Sequence, residues 1–407
     1  MTPDQNRLLT LVEGDAPMGQ LMRCHWIPCA LSSALVADGA PQPVRLLGQD
    51  FVAFRATDGR VGLFDEACPH RRASLLLARN ENCALTCIFH AWKIHVSGKV
   101  IEIPSEGDRS AATAGHMKVN HYPTFEGGGL LWVYLGQGEP PPRPPLPFLD
   151  LPAEQIFITR SIAPCNWLQG VEGTIDSVHV GTMHQSWVPA LSADRASISH
   201  TLNSHPRYEV EDTDYGIRAA ALRSVGEGQL YVRTTEYVMP FSSLVAGSGS
   251  VRNGSMFISV PVDDVSHMLF FGIWDEDNPV PRLIDAICAE PRDLNDFGLI
   301  SGTKANLWRQ DRAAMSAGHF TGFDKCLIDE DMVVQASMGP IADRTDEQLV
   351  ASDVGVARTR RRLLAALQAL DRGEPSAVTA RTVRPTDAIL APNADWRELG
   401  GAELALA

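Results

Sequence analysis

Short apolar runs broken by turn residues fill the stretch from about Val44 to Gly136. Residues 44–70, VRLLGQDFVAFRATDGRVGLFDEACPH, read as strand, turn, strand, Asp-Gly turn and strand. GLLWVYLG at 129–136 is another strand. No helical period of useful length interrupts this part, so it is expected to be all-β. Ahead of it, Thr2 to about Leu11 has helical character, and an apolar segment surrounds Cys24, His25 and Trp26. Residues 139–152, EPPPRPPLPFLDLP, supply few ladder donors and favour extended backbone. They read as a stiff interdomain linker rather than an SH3-type ligand.

Past the linker the pattern changes twice. NWLQGVEGTIDSVHVGTMH (166–184) has helical character, residues 208–276 return to strand-like runs, and 327–370 look helical again. The last ~35 residues are rich in Pro, Ala and Asp and read as a surface-hugging tail. The expected organisation is a helical lead (1–40), an all-β domain (41–138), the linker (139–152) and an α+β domain (153–407).

A chain of 407 residues exceeds one ordinary core, in keeping with two domains. Its net charge of -14 argues against nucleic acid or an anionic membrane as the main partner. The N-terminus lacks the basic start and apolar core of a signal peptide. No run approaches the ~18 apolar residues of a membrane span, so the expected location is cytoplasmic. The 8 cysteines are too sparse for a disulfide scaffold. In a reducing compartment, clustered Cys and His suggest metal. The isolated Cys24, Cys29, Cys165, Cys288 and Cys326 read as buried small apolar residues.

Two Cys-His pairs stand close together: Cys68-Pro69-His70 and Cys87-Ile88-Phe89-His90. Structural zinc usually pairs Cys with Cys and His with His. Here each loop brings one thiol and one imidazole. A Rieske-type [2Fe–2S] cluster needs two thiolates on one iron and two imidazoles on the other, and this pattern supplies them. A zinc knuckle is the competing reading. Cys83 has no His two or three residues downstream and reads as a buried or loop thiol, and His95 reads as non-ligating.

A second constellation lies in GTIDSVHVGTMH. Asp176 and His179, three apart, would share one helical face. His184 follows His179 by about 140° on an ideal helix. Both imidazoles meet one metal only if the helix breaks or bulges, and Gly181 stands between them. Two histidines with a distant carboxylate make the facial triad of non-haem Fe(II) oxygenases. Satisfied polar histidines are the plain alternative. Carboxylates are available at Asp329, Glu330 and Asp331, which also suit the first turn of a helix.

Residues 68–92 resemble the Rieske domain of the ring-hydroxylating oxygenases, down to Trp92 after the second loop. Glu172 to His184 is similar to that family's pattern Glu-Gly-x-x-Asp-x-x-His-x4-His. The opening LLTLVEGDAPMGQLMRCHWIPCAL and the later MGPIADRTDEQLVASDVGVARTRRRLL look like the phthalate dioxygenase group, so the resemblance covers nearly the whole chain. Three positions depart from the usual pattern: Arg72 and Ala91 stand for glycine, and Phe89 for tyrosine. A phenylalanine cannot donate to a cluster sulfur, and such bonds raise the potential.

The resemblance implies an all-β Rieske domain followed by a helix-grip (START/Bet v 1-like) catalytic domain with an antiparallel sheet. It implies one Rieske [2Fe–2S] cluster and one mononuclear Fe(II) per chain, with O2 as co-substrate. The carboxylate ligand would be Asp331, with Asp329 as runner-up. Electrons would come from NADH through a separate reductase with a flavin and/or [2Fe–2S] centre, since no convincing dinucleotide fingerprint is present here. The family's head-to-tail homotrimer, or a multiple of it, makes Asp176 the bridge from His179 to the partner subunit's His90. The expected reaction is cis-dihydroxylation of phthalate or a close aromatic carboxylate. O-demethylation or aryl ether cleavage is the enzyme alternative, and a Rieske electron carrier the non-enzyme one. A carboxylate pocket needs an apolar slot and a cation. Among Arg207, Arg218, Arg223, Arg233 and Arg252, the expectation falls on Arg207, between Pro206 and Tyr208.

Overall fold

The computed structural model describes residues 1–117, 119–189, 205–247, 251–280, 284–298, 302–374 and 382–400. Its first helix, α1 (Pro3–Thr10), begins where sequence chemistry places it. The Thr2 side chain accepts from the Gln5 N–H, the Gln5 side chain returns the bond, and Pro3 opens the helix where no donor is needed. Helix α2 (Pro17–Arg23) and strand β1 (Trp26–Leu31) follow.

The next strands form small antiparallel sheets. One holds β2 (Gln42–Leu46), β3 (Gln49–Arg55) and β4 (Val61–Asp65). Another holds β5 (Arg79–Glu81), β6 (Ala84–Thr86), β7 (Lys93–His95) and β8 (Val100–Glu102). In a third, β9 (Thr124–Gly127) and β10 (Leu130–Tyr134) join β1, which lies before residue 41 and pairs from Trp26↔Tyr134 to Leu31↔Leu130. The sequence pattern does not announce one helical insertion. A 3-10 turn at Pro104–Arg109 runs into α3 (Ser110–Ala114), whose small residues are too few to carry an amphipathic period.

The second half is built on one antiparallel sheet. Its strands are β11 (Ile156–Ala163), β12 (Arg207–Asp212), β13 (Gly216–Gly226), β14 (Gln229–Val238), β15 (Ser242–Ala246), β16 (Asn253–Pro261), β17 (His267–Asp275) and β18 (Asp387–Leu390). Their order is β11-β17-β16-β15-β14-β13-β12. Strand β14 is long enough to take two partners on one side, β15 along Thr235–Val238 and β18 along Leu230–Arg233. The tail therefore contributes a strand and a buried Trp396 rather than only lying on the surface.

Helix α4 (Trp167–Ile175) packs on β15, β16 and β17 through Trp167, Leu168, Val171 and Ile175, which recur at helical spacing and are all buried. It is followed by α5 (Val178–Thr182), α6 (Ile284–Ile287), α7 (Arg312–Ser316), α8 (Leu327–Ser337) and α9 (Val354–Asp371). The helical run expected over 327–370 is thus two helices. Gly339, at φ 96°, and Pro340 end the first. Glu172 ties these helices together. It accepts from Arg344 at 2.9–3.1 Å and from Arg360 of α9 at 2.6 Å, while Arg344 also donates to Asn6 on α1. Cys29, Cys165, Cys288 and Cys326 are buried, as expected, and Cys24 is partly so. Among the described residues no helix is long and apolar enough to cross a membrane.

Candidate metal centres

Two loops of nearly the same build carry the four paired Cys and His residues. In each, the cysteine N–H donates to the carbonyl five residues on, and the residue four on donates back to the cysteine carbonyl. The bonds are Cys68 to Ala73 (2.8 Å) with Arg72 to Cys68 (2.9 Å), and Cys87 to Trp92 (2.9 Å) with Ala91 to Cys87 (2.8 Å). Four residues after each cysteine the backbone is left-handed, with φ 65° at Arg72 and 58° at Ala91. Glycine would take that conformation without strain.

Cys68 and Cys87 are buried and His70 is exposed. The His70 ring lies 4.5 Å from His90, edge to face, and stacks on Trp92 at 4.7 Å. Burial pushes the Cys68 thiol up, against the pull of the His70 and Arg71 backbone N–H groups on its sulfur. A thiolate there calls for a metal. Inner sulfurs and outer imidazoles are the donor set of a Rieske cluster, so the residues present fit that group. Phe89 is 54% exposed, with its ring 3.9 Å from His90 and the Arg71 guanidinium 5.3 Å away. Leu77 and Ile88 are exposed as well. Cys83 sits in the two-residue turn between β5 and β6 (φ 54° at Asn82, 57° at Cys83), at the far end of β6 from Cys87. His95 bonds Ser97.

The second set is assembled from α4, α5 and α8. Asp176 caps the end of α4 in extended backbone, and its Oδ1 accepts the Val178 N–H at 2.7 Å, which restarts the chain as α5. A kink thus replaces the shared helical face expected for Asp176 and His179. The pair survives it, with Asp176 Oδ2 3.4 Å from His179 Nδ1. Gly181, the expected break point, lies inside α5. The helix stops just after it, at Thr182, and a turn brings His184 round.

Asp331 of α8 faces both imidazoles. Its Oδ1 is 3.5 Å from His179 Nε2 and its Oδ2 is 3.3 Å from His184 Nε2. One donor atom from each of these three residues lies within 4.8 Å of the others. Asp329, the competing carboxylate, instead accepts two hydrogen bonds from the Arg292 guanidinium, at 2.6 and 2.8 Å. Glu330, fully buried, holds His184 Nδ1 at 2.6 Å. Burial opposes a charge on His184, but Asp331 and Glu330 outweigh it and hold the imidazole up at about 10. Asp331 stays below the usual carboxylate range despite its burial, because His184 and His179 face it. Such negative surroundings suit a divalent cation, which would take the proton's place. Two imidazoles and one carboxylate fit the iron facial triad.

A cavity reaches this triad. Its sheet wall uses alternate residues of each strand: Arg233 and Thr235, Val245, Ser255 and Phe257, Leu269 and Phe271. Register sets them in rows, Thr235↔Val245↔Ser255 and Phe257↔Phe271. Arg233 is the one Lys or Arg among the described lining residues, and its Nε donates to the Ala246 carbonyl at 3.2 Å. Arg207 does not line the cavity. It lies on β12 at the sheet edge with its side chain 67% exposed, paired with Glu209 at 3.1 Å. Edge position is a property of the assembled sheet, which the Pro-Arg-Tyr context does not carry. Arg218 is paired with Glu236 and Arg252 with Asp277, while Arg223 donates to the carbonyl and hydroxyl of Ser177, next to Asp176.

Residues 25–123 match the Rieske [2Fe-2S] domain, and residues 133–406 match the LigXa C-terminal domain like family. The chain is 40% identical to the phthalate 4,5-dioxygenase oxygenase subunit of Pseudomonas putida, over 98% of this chain and 94% of that one. It is 33% identical to the 3-chlorobenzoate-3,4-dioxygenase oxygenase subunit of Comamonas testosteroni, over 91% and 89%. The 5,5'-dehydrodivanillate O-demethylase oxygenase subunit of Sphingobium sp. (strain NBRC 103272 / SYK-6) is 29% identical over 93% and 83%. Dicamba monooxygenase bound to dicamba shares the fold, with a TM-score of 0.58 at 18% identity over 87% of this chain and 99% of that one.

The chain belongs to the Rieske non-haem iron oxygenases, as a terminal oxygenase component. It is an oxidoreductase of the ring-hydroxylating class, with a Rieske [2Fe–2S] cluster and a mononuclear iron as cofactors and O2 as co-substrate. The α+β fold implied by the resemblance, a Rieske domain followed by an antiparallel-sheet domain with helices, is the one observed.

Proposed function

We propose that the chain cis-dihydroxylates an aromatic carboxylate, phthalate or a close relative, beside His179, His184 and Asp331. The cavity carries this reading. Phe257, Phe271, Leu269 and Val245 suit a flat ring, and Arg233 suits a carboxylate. The 40% identity to a phthalate 4,5-dioxygenase oxygenase subunit supports the same class of substrate. In this reading Cys68, His70, Cys87 and His90 hold the cluster, and His179, His184 and Asp331 hold Fe(II). Bound there, the iron supplies open positions for O2. The chain's own side chains do the rest: the sheet wall orients the ring, Arg233 fixes its acid group, and the apolar lining excludes water.

Electrons reach the cluster from NADH through a separate reductase. They leave by His90 toward a neighbouring chain in a head-to-tail trimer or a multiple of it, with Asp176 joining His179 to the partner subunit's His90. Two features support this route. The second Cys-His loop carries exposed Ile88 and Phe89, and the Asp176 side chain is 32% exposed while contacting His179.

Product analysis tests the reaction, using a panel of aromatic acids with O2 and a surrogate reductase. A cis-dihydrodiol from phthalate or a near relative is expected. A phenol with a released fragment would assign O-demethylation or aryl ether cleavage instead, the class to which the dehydrodivanillate relative's name belongs. Metal analysis that found no mononuclear iron would leave only an electron carrier.

A further inference from the structure

We infer that Glu330 is the positioning residue of the iron centre, acting through His184, and that Thr321 and its turn hold Glu330 in place. The inference rests on His184 being an iron ligand. An imidazole has two nitrogens, and only one can face the metal. The other must find an acceptor for its proton, and that acceptor fixes both tautomer and ring angle. Glu330 Oε2 lies 2.6 Å from His184 Nδ1, so the Nδ1 proton is held there and Nε2, 3.3 Å from Asp331, is the nitrogen left to face a metal.

Glu330 is 0% exposed, and a buried carboxylate needs both of its oxygens satisfied. Its Oε1 accepts the Thr321 hydroxyl proton in a short contact. Thr321 is itself held. Its hydroxyl accepts the Phe323 N–H at 3.2 Å, and the Gly322 N–H donates to His319 Nδ1 at 3.1 Å. The turn is also fastened to the chain just beyond His184. The Phe320 N–H donates to the Ser186 hydroxyl at 2.9 Å, and the His319 ring lies 5.9 Å from Trp187. The path His184–Glu330–Thr321–Phe320–Ser186 therefore closes on itself. His179 has a different arrangement, with its Nδ1 3.4 Å from an Asp176 that reaches the surface. His184 is set by a buried carboxylate in a closed ring, His179 by a partly exposed one. Two negative charges, on Asp331 and Glu330, would balance an Fe(II) ion. Glu330 could otherwise be an acidic first-turn residue that only serves the helix dipole. In that case its loss would not reach the metal.

The test measures iron affinity by chelator competition, without turnover, and records the Co(II)-substituted electronic spectrum. The cluster's visible absorbance reports folding. Glu330→Leu should weaken iron binding about 10–100-fold and change the Co(II) spectrum. Glu330→Gln, which keeps an acceptor but not the charge, should recover part of the affinity, and Thr321→Val should lose several-fold. If Glu330→Leu loses its cluster, Glu330→Gln and Thr321→Val are read alone, and parent-like iron affinity in both would overturn the inference. His184→Ala separates the two ideas. Iron lost there but held unchanged by Glu330→Leu would overturn the role of Glu330 alone. Iron retained by His184→Ala would overturn the ligand assignment and this inference with it.

Discussion

Arg72 and Ala91 hold a left-handed backbone that side chains resist, at about 1–2 kcal/mol each. Glycine removes that strain but gives back about 0.5–1 kcal/mol through unfolded-state entropy. Ala91→Gly should therefore stabilise the cluster loop by about 1 kcal/mol, moving the thermal loss of cluster absorbance up by ~2–4 °C. A lower midpoint would show that the loop pays no strain at this site. A second residue-scale prediction concerns Arg233. A charge-assisted bond to a carboxylate is worth about 1.5–3 kcal/mol, so Arg233→Met should weaken binding of an aromatic acid about 10–100-fold while both metal contents stay unchanged. Equal affinity in the variant would remove Arg233 from the substrate site.

At the scale of elements, α8 carries three consecutive acids to three destinations: Asp329 to Arg292, Glu330 to His184, and Asp331 to the triad. Successive residues point about 100° apart on a helix, so neighbours in sequence meet different partners. The Cys-His loops were legible because all four residues lie within two short loops, each bringing one thiol and one imidazole. His179 and His184 were legible as a pair for a similar reason. The division of labour among the three acids was not. It depends on contacts to residues such as Arg292 and His184, far off in the chain, and only the family resemblance pointed to Asp331. Arg233 stood among the five candidate arginines but was not singled out, for a related reason. Both faces of β14 are largely covered, so alternation along the strand does not reveal which face meets the cavity. Glu172 sits in the motif but braces helices instead of touching the triad. Glu172→Leu would leave the buried Arg344 without its carboxylate, a loss of about 3–5 kcal/mol. Its expected signature is a lower unfolding midpoint for the second domain. An unchanged midpoint would mean the bracing contributes no net stability.

For the whole molecule, the proposed route would join the two centres across chains. Asp176→Asn keeps the shape of the side chain and removes its charge. The variant should retain cluster and iron yet lose most product formation with reductase present. Full product formation would sink the bridge. The C-terminal strand has a different consequence, in time. Strand β14 carries Arg233, and the half of it that holds Arg233 gains its second neighbour only from Asp387–Leu390. The small sheets of the first half close with β10, which ends at Tyr134. At ~5–20 residues per second, synthesis from there to Leu390 lasts roughly 10–50 s. Throughout that interval the first domain has its full set of strands while the sheet behind the cavity lacks its last one. A newly made chain would thus be able to take up its cluster well before it has a finished chamber in which to use it.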